Sequence, residues 1–262
     1  MGFGSFVKKT WGRAKKIAKG VGKALKGVAR VAAGLLRSVL TFDWLRVYLG
    51  WTSTRTLQLR VVILSNQAGP VLDYSVIPNF DPIEPGTISA DRRALDIAID
   101  EARRIFKEQA DVVIKPDVNS QLVSTITTPA PEAALNPRCD WDGFVDSLGI
   151  AGAYFQQNIV SPLVASVTVF VVEDVQDKRG CSYGAFGDYT VIDRSGIYDE
   201  DDPAAAQSVN PWTLAHEIAH ACNLFHPGAG SSLMRAGPDG RRDHLFDWQR
   251  VILRASHLTG GL

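Results

Sequence analysis

Residues 210–226, NPWTLAHEIAHACNLFH, constrain the fold more than any other stretch of the chain, and they hold three of its five histidines. Asn210 then Pro211 is a helix start: a side chain that can accept from the first free amides, then a residue whose fixed φ suits the first turn. On that helix His216 and His220 are four apart, so both imidazoles leave one face and aim at one point. His226 is six residues further on and cannot be the next ligand on a straight helix. The chain must therefore turn back after about residue 222. Asn223 stands where the turn is needed, and after glycine asparagine best tolerates a left-handed helix end. Glu217 cannot easily share the same tetrahedral set, but it can reach a water held there. A purely structural metal site has no need of that carboxylate. The plain alternatives are a degenerate zinc site and a surface helix with incidental histidines.

The rest of the chain fits a mixed α/β domain from about residue 50 to 262. TLQLRVVILS alternates Leu57, Leu59, Val61 and Ile63 before the turn NQAGP, which predicts a strand. SADRRALDIAIDEARRIFKEQA predicts a long helix with Ser89 as N-cap and Leu95, Ala98, Ala102, Ile105 and Phe106 on its buried face. DVVIKPD and QLVSTIT read as short strands, and TTPAPEAALNP as a loop. VASVTVFVVEDV is β-branched and apolar enough for a central strand. CSYGAFGDYTVID reads as a glycine-broken strand or hairpin near a sheet edge. FDWQRVILRASHL predicts a C-terminal helix.

Charge divides the chain in two. The whole balances at 28 basic and 28 acidic residues, but 1–46 hold eleven Lys/Arg and only Asp43 as an acid, so that segment carries +10 and the remainder −10. Apolar residues from Val7 to Val39 recur in steps of four and three, while Lys9, Lys16, Lys23, Arg30 and Arg37 recur every seven. This predicts a cationic amphipathic helix over 1–46. Gly20, Gly27 and Gly34 each weaken it by about 1 kcal/mol relative to alanine, so it is expected to fold on a partner: an anionic membrane surface, a carrier protein or the chain's own acidic domain. Arg30 and Arg37 interrupt the apolar stretch a secretory signal needs, and Phe6 breaks the myristoylation pattern. Secretion or delivery outside the producing cell is expected without a clear signal peptide. No run of eighteen apolar residues exists, and no nucleic-acid partner is expected.

HEIAHACNLFH, 216–226, resembles the metzincin zinc-peptidase motif H-E-x-x-H-x-x-G-x-x-H, with Asn223 at the usual glycine. Met234, in SSLMRAG eight residues after His226, matches the methionine turn, and this spacing is most similar to the matrixin branch. The resemblance implies a metzincin-like α+β domain: a twisted mixed sheet, a long backing helix, an active-site helix and a C-terminal helix. It implies Zn2+ on His216, His220 and His226, Glu217 as general base and then acid, and Met234 as the apolar base of the site. The activity implied is endopeptidase cleavage of a protein or peptide substrate. Ala236 stands where some relatives carry a tyrosine ligand, and Pro227 stiffens the exit from the third histidine.

Two other functions compete with this one: a membrane-active, toxin-like protein acting through 1–46, and a non-catalytic zinc-bound module that binds peptides. Weaker signals are read beside their plain alternatives. NPRCDWD, 136–142, echoes the matrixin cysteine switch, but Cys139 lies inside the domain, so coincidence or a disulfide with Cys181 is the preferred reading. YDEDDP, 198–203, is a solvated acidic loop with Ca2+ as the alternative; no EF-hand spacing is present. Cys222 is expected in the core, and His244 and His257 in surface or capping roles.

Overall fold

The computed structural model describes residues 54–66, 88–117, 122–125, 129–138, 150–159, 166–176, 178–182, 189–198, 209–226, 232–235, 242–256 and 258–261. The segment 1–46, Cys139, residues 199–203 and His257 lie outside the described residues, as do Pro227 and Ala236.

The strands are β1 (Arg55–Ile63), β2 (Val112–Pro116), β3 (Val123–Thr125), β4 (Ser166–Val172), β5 (Gly180–Ser182), β6 (Tyr189–Asp193) and β7 (Thr259–Gly261). The helices are α1 (Ile88–Ala110), α2 (Glu132–Leu135), α3 (Ile150–Asn158), α4 (Trp212–Ala221) and α5 (Asp247–Ala255). The sheet is mostly parallel, in the order β2-β1-β4-β6-β5, with β3 and β7 also paired to β1. Strand β5 runs antiparallel to β6 at the end of that order, the edge position expected for the glycine-broken segment. The class is mixed α/β, as the residue pattern predicts.

Alternation along the strands explains why both faces are covered. Leu57, Leu59, Val61 and Ile63 of β1 join Val167, Val169 and Val171 of β4 and Ile192 of β6 in one buried cluster with α1, α4 and α5. The opposite parity, Val62, Phe170, Val172, Tyr189 and Val191, builds a second cluster against α2 and α3. All seven residues of β4, SVTVFVV, are therefore buried, which is why it is largely apolar on both parities, with only Ser166 and Thr168 polar. Phe155 of α3 fastens the second face, with its ring centroid 4.8 Å from Phe170 and 5.3 Å from Tyr189.

Helix α1 buries the five residues expected of it, but it begins at Ile88, so Ser89 lies inside the first turn rather than capping it. Residues 132–135, expected as loop, form one helical turn. At its C-terminus α1 ends on Asp111, φ 52°, whose N–H donates to Lys107 O at 3.0 Å, and β2 begins at the next residue. The buried Arg254 of α5 donates from Nη1 to Ala110 O at 2.7 Å, satisfying a terminal carbonyl of α1. No helix among the described residues is long and apolar enough to cross a membrane.

Candidate metal centre

Helix α4 starts as its sequence requires. Asn210 Oδ1 accepts from the Trp212 N–H at 3.2 Å, and Pro211 already has helical dihedrals, φ −76° and ψ −13°. Leu214, Ala215, Ile218, Ala219 and Ala221 bury one face against the sheet and α1. His216 and His220 fall at the border of that face, half-buried.

The helix ends on Asn223, φ 71°. The Asn223 N–H donates to His220 O at 2.9 Å and the Leu224 N–H to Ala219 O at 3.0 Å. That pair of bonds is the Schellman ending, with the left-handed residue at the position glycine usually takes and buried Leu224 packed in the same cluster as Ala219. The reversal does two things. It returns the chain so that exposed His226 meets the other two histidines, and it places Leu224 O 2.7 Å from His220 Nδ1.

The three Nε2 atoms converge: 3.0 Å from His220 to His226 and 3.2 Å from His226 to His216. Tetrahedral coordination with metal–nitrogen bonds near 2.05 Å separates ligand nitrogens by about 3.3 Å. The tautomers agree with such a site. His216 Nδ1 faces Leu233 O at 2.7 Å and His220 Nδ1 faces Leu224 O, so both Nδ1 atoms carry the proton. In the neutral rings both Nε2 lone pairs then point at the shared centre. The rings are held neutral. Burial, then the neighbouring His220, pushes His216 down to about 3, and burial pushes His220 down to about 4. Lone pairs facing one another at this separation repel unless a cation or a proton lies between them. His216, His220 and His226 thus form a cluster that could hold a metal ion.

The methionine segment is built around Ser232. Its Oγ donates to Gln249 Oε1 at 3.0 Å and accepts from the Met234 N–H at 3.2 Å, while the Leu233 N–H donates to His244 O at 2.8 Å. Leu233 O is thereby fixed to meet His216. Met234 is fully buried in the same cluster as α4. Gln249 of α5 is also fully buried, and its Oε1 accepts from the Phe246 N–H as well. Sequence reasoning missed Gln249, because Phe246 occupies the cap position and hides the usual Ser/Thr-x-x-Gln signature.

Glu217 points away from solvent, 5% exposed, toward the sheet edge. Its Oε2 lies 3.5 Å from Thr190 Oγ1 of β6, and Gly180 of β5 lies against its side chain. Burial pushes the carboxyl up to about 8. A cation held by the three histidines would draw that value back down. Neither Thr190 nor Gly180 carried a sequence signal for this contact, since strand pairing brings them there.

Cys222 is a buried free thiol, pushed up to about 12 by burial, as a core residue should be. Cys181 is disulfide-bonded. His244 is exposed, and its carbonyl caps the Leu233 amide. No protein-family model and no curated protein matches this sequence.

Proposed function

We propose that this chain is a zinc-dependent endopeptidase of the metzincin type, most similar to the matrixin branch. One observation carries the reading. Three imidazoles, two of them with tautomers fixed by backbone carbonyls, converge their Nε2 atoms within 3.0–3.2 Å, and the residue following the first of them is a buried glutamate. The donor set is all imidazole, which suits zinc, and three ligands leave a fourth position for reactants.

His216, His220 and His226 would hold the ion, with Leu233 O and Leu224 O keeping two of the rings in the binding tautomer. When bound, zinc supplies a Lewis acid that polarises a peptide carbonyl and acidifies water. Glu217 takes a proton from the attacking water and returns it to the leaving amine. Its burial keeps bulk water from competing for that proton. Met234 contributes an apolar floor without ligating. The substrate is a protein or peptide. Delivery by the basic segment 1–46 to a membrane, a carrier or the acidic domain belongs to the same proposal.

The test is cleavage of an unfolded protein by the full chain loaded with zinc, beside Glu217→Ala with zinc content checked in both. Cleavage by the wild type and none by a variant that keeps its zinc supports the reading. Equal zinc in both with cleavage by neither removes the peptidase and leaves a zinc-bound binding module.

A further inference from the structure

The edge strand β5 holds a residue whose missing side chain is used. A Cβ built on Gly180 would lie 2.9 Å from Glu217 Cγ, 3.0 Å from Cδ and 3.0 Å from Oε1. Carbon atoms in comfortable contact stand at roughly 3.5–4.0 Å. Backbone conformation is not what calls for glycine here: Gly180 does not have a positive φ, and it pairs regularly with Ile192 in the β5–β6 ladder. Space is what calls for it. Gly196 offers a contrast, because a Cβ there would meet the backbone carbonyl of Arg179 at 2.5 Å and no side-chain movement could make room. At Gly180 the three nearest atoms all belong to the Glu217 side chain.

The slot has a second wall. Register sets Ser182 opposite Thr190 and Gly180 opposite Ile192, so by the two-residue alternation Gly180 and Thr190 share the face that α4 covers. Thr190 is fully buried, and its hydroxyl donates to Cys181 O at 2.7 Å, which ties it to β5. Glu217 thus lies over a glycine on one strand and beside a fixed hydroxyl on the next.

We propose that Gly180 is a positioning residue: the vacant Cβ site on the edge strand is the slot that sets where the Glu217 carboxylate rests. A methyl group at 180 leaves the fold standing, because a side chain and not the backbone must give way, and displaces the carboxylate. Its catalytic consequence rests on the peptidase reading above; its steric content does not.

The experiment is a pair of double-mutant cycles in the full chain, with zinc content measured throughout. The first reads stability, crossing Gly180→Ala with Glu217→Ala. Gly180→Ala is expected to lower the melting temperature when Glu217 is present. With Glu217 removed it is expected to be neutral or slightly stabilising, as glycine-to-alanine is at an unstrained position. An equal loss in both backgrounds, or no loss in either, overturns the slot. The second reads activity, crossing Gly180→Ala with Glu217→Asp. Gly180→Ala alone is expected to cut kcat by about 10²-fold, the order that a misplaced catalytic group costs. KM is expected to stay within about twofold, as for a group used only in the transition state. The shorter aspartate is expected to cost less in the Gly180→Ala background than in the wild type, since it withdraws from the added methyl. Unchanged kcat in Gly180→Ala overturns the catalytic consequence. A wild type that cuts nothing removes the peptidase reading instead, and the stability cycle still decides the slot.

Discussion

Leu233 O accepts a 2.7 Å hydrogen bond from Nδ1 of His216, seventeen residues earlier in the chain. This bond couples the methionine segment to the first histidine of the cluster through the backbone. What holds Leu233 also holds His216, and Gln249 holds it from beneath through Ser232.

Gln249→Leu should therefore weaken zinc binding although residue 249 touches no ligand. Loss of an outer partner of a metal-bound histidine typically costs about 10–100-fold in affinity. Ser232 Oγ and the Phe246 N–H lose their acceptor, and stability should fall by about 1–3 kcal/mol. Zinc competition against a chromophoric chelator, with urea unfolding alongside, checks both. An unchanged zinc affinity would show that Leu233 O is fixed without Gln249.

Asn223→Gly should be tolerated, while Asn223→Val should not. The left-handed conformation at φ 71° costs an ordinary residue about 1–2 kcal/mol and a β-branched one more. His226 depends on that reversal, so the valine variant should also bind zinc more weakly by about tenfold or more. Equal stability and affinity of the glycine and valine variants would show that the turn is set by something other than residue 223.

Zinc removal should destabilise the wild type strongly. Free zinc at a thousandfold its dissociation constant adds about 4 kcal/mol of stability, so chelation should lower the melting temperature by a matching amount. His226→Ala should lose most of that chelator-sensitive part, and Glu217→Ala should keep it. Scanning calorimetry with and without chelator separates the two roles. A Glu217→Ala variant that no longer responds to zinc would make Glu217 a ligand.

Acid should weaken the α1–β2 junction. Burial raises the Asp111 carboxyl, but the Lys107 ammonium that donates to it, with help from Thr54, outweighs burial and holds it below its ordinary 3.8. A carboxyl depressed on folding stabilises above its unfolded value and loses that contribution as pH falls through the folded one. Asp111→Asn tolerates the same backbone and removes the charge. It should cost about 0.5 kcal/mol near pH 7, because Lys107 is half exposed and water screens the pair. Below the carboxylate range the difference should vanish. Urea-unfolding energies of both proteins at pH 7 and pH 3 test this, and the same gap at both would rule out the charge as its source.

The parts legible in the sequence were those fixed by local rules. Asn210, Pro211 and Asn223 state where α4 begins and ends, and the histidine spacing follows from helix geometry. The β-branched, largely apolar stretch of β4 announced a central strand, and β4 lies in the middle of the sheet. Helix α3 was missed because IAGAYFQQN is short and only weakly amphipathic, and Phe155 is needed only once Phe170 and Tyr189 are side by side. Strand β7, three residues with two glycines, exists because β1 offers it a partner. Gly180, Thr190 and Gln249 were invisible for the same reason. Each acts on a residue far along the chain, and no spacing rule connects them.

The two carbonyls that orient His216 and His220 fall between 216 and 233, whereas Thr190 beside Glu217 is 27 residues upstream on another layer of the fold. The two halves of the proposed chemistry are thus differently portable. Grafted onto a foreign scaffold, the stretch 210–256 would carry Gln249 and both orienting carbonyls with it and leave behind the strand edge against which Glu217 lies.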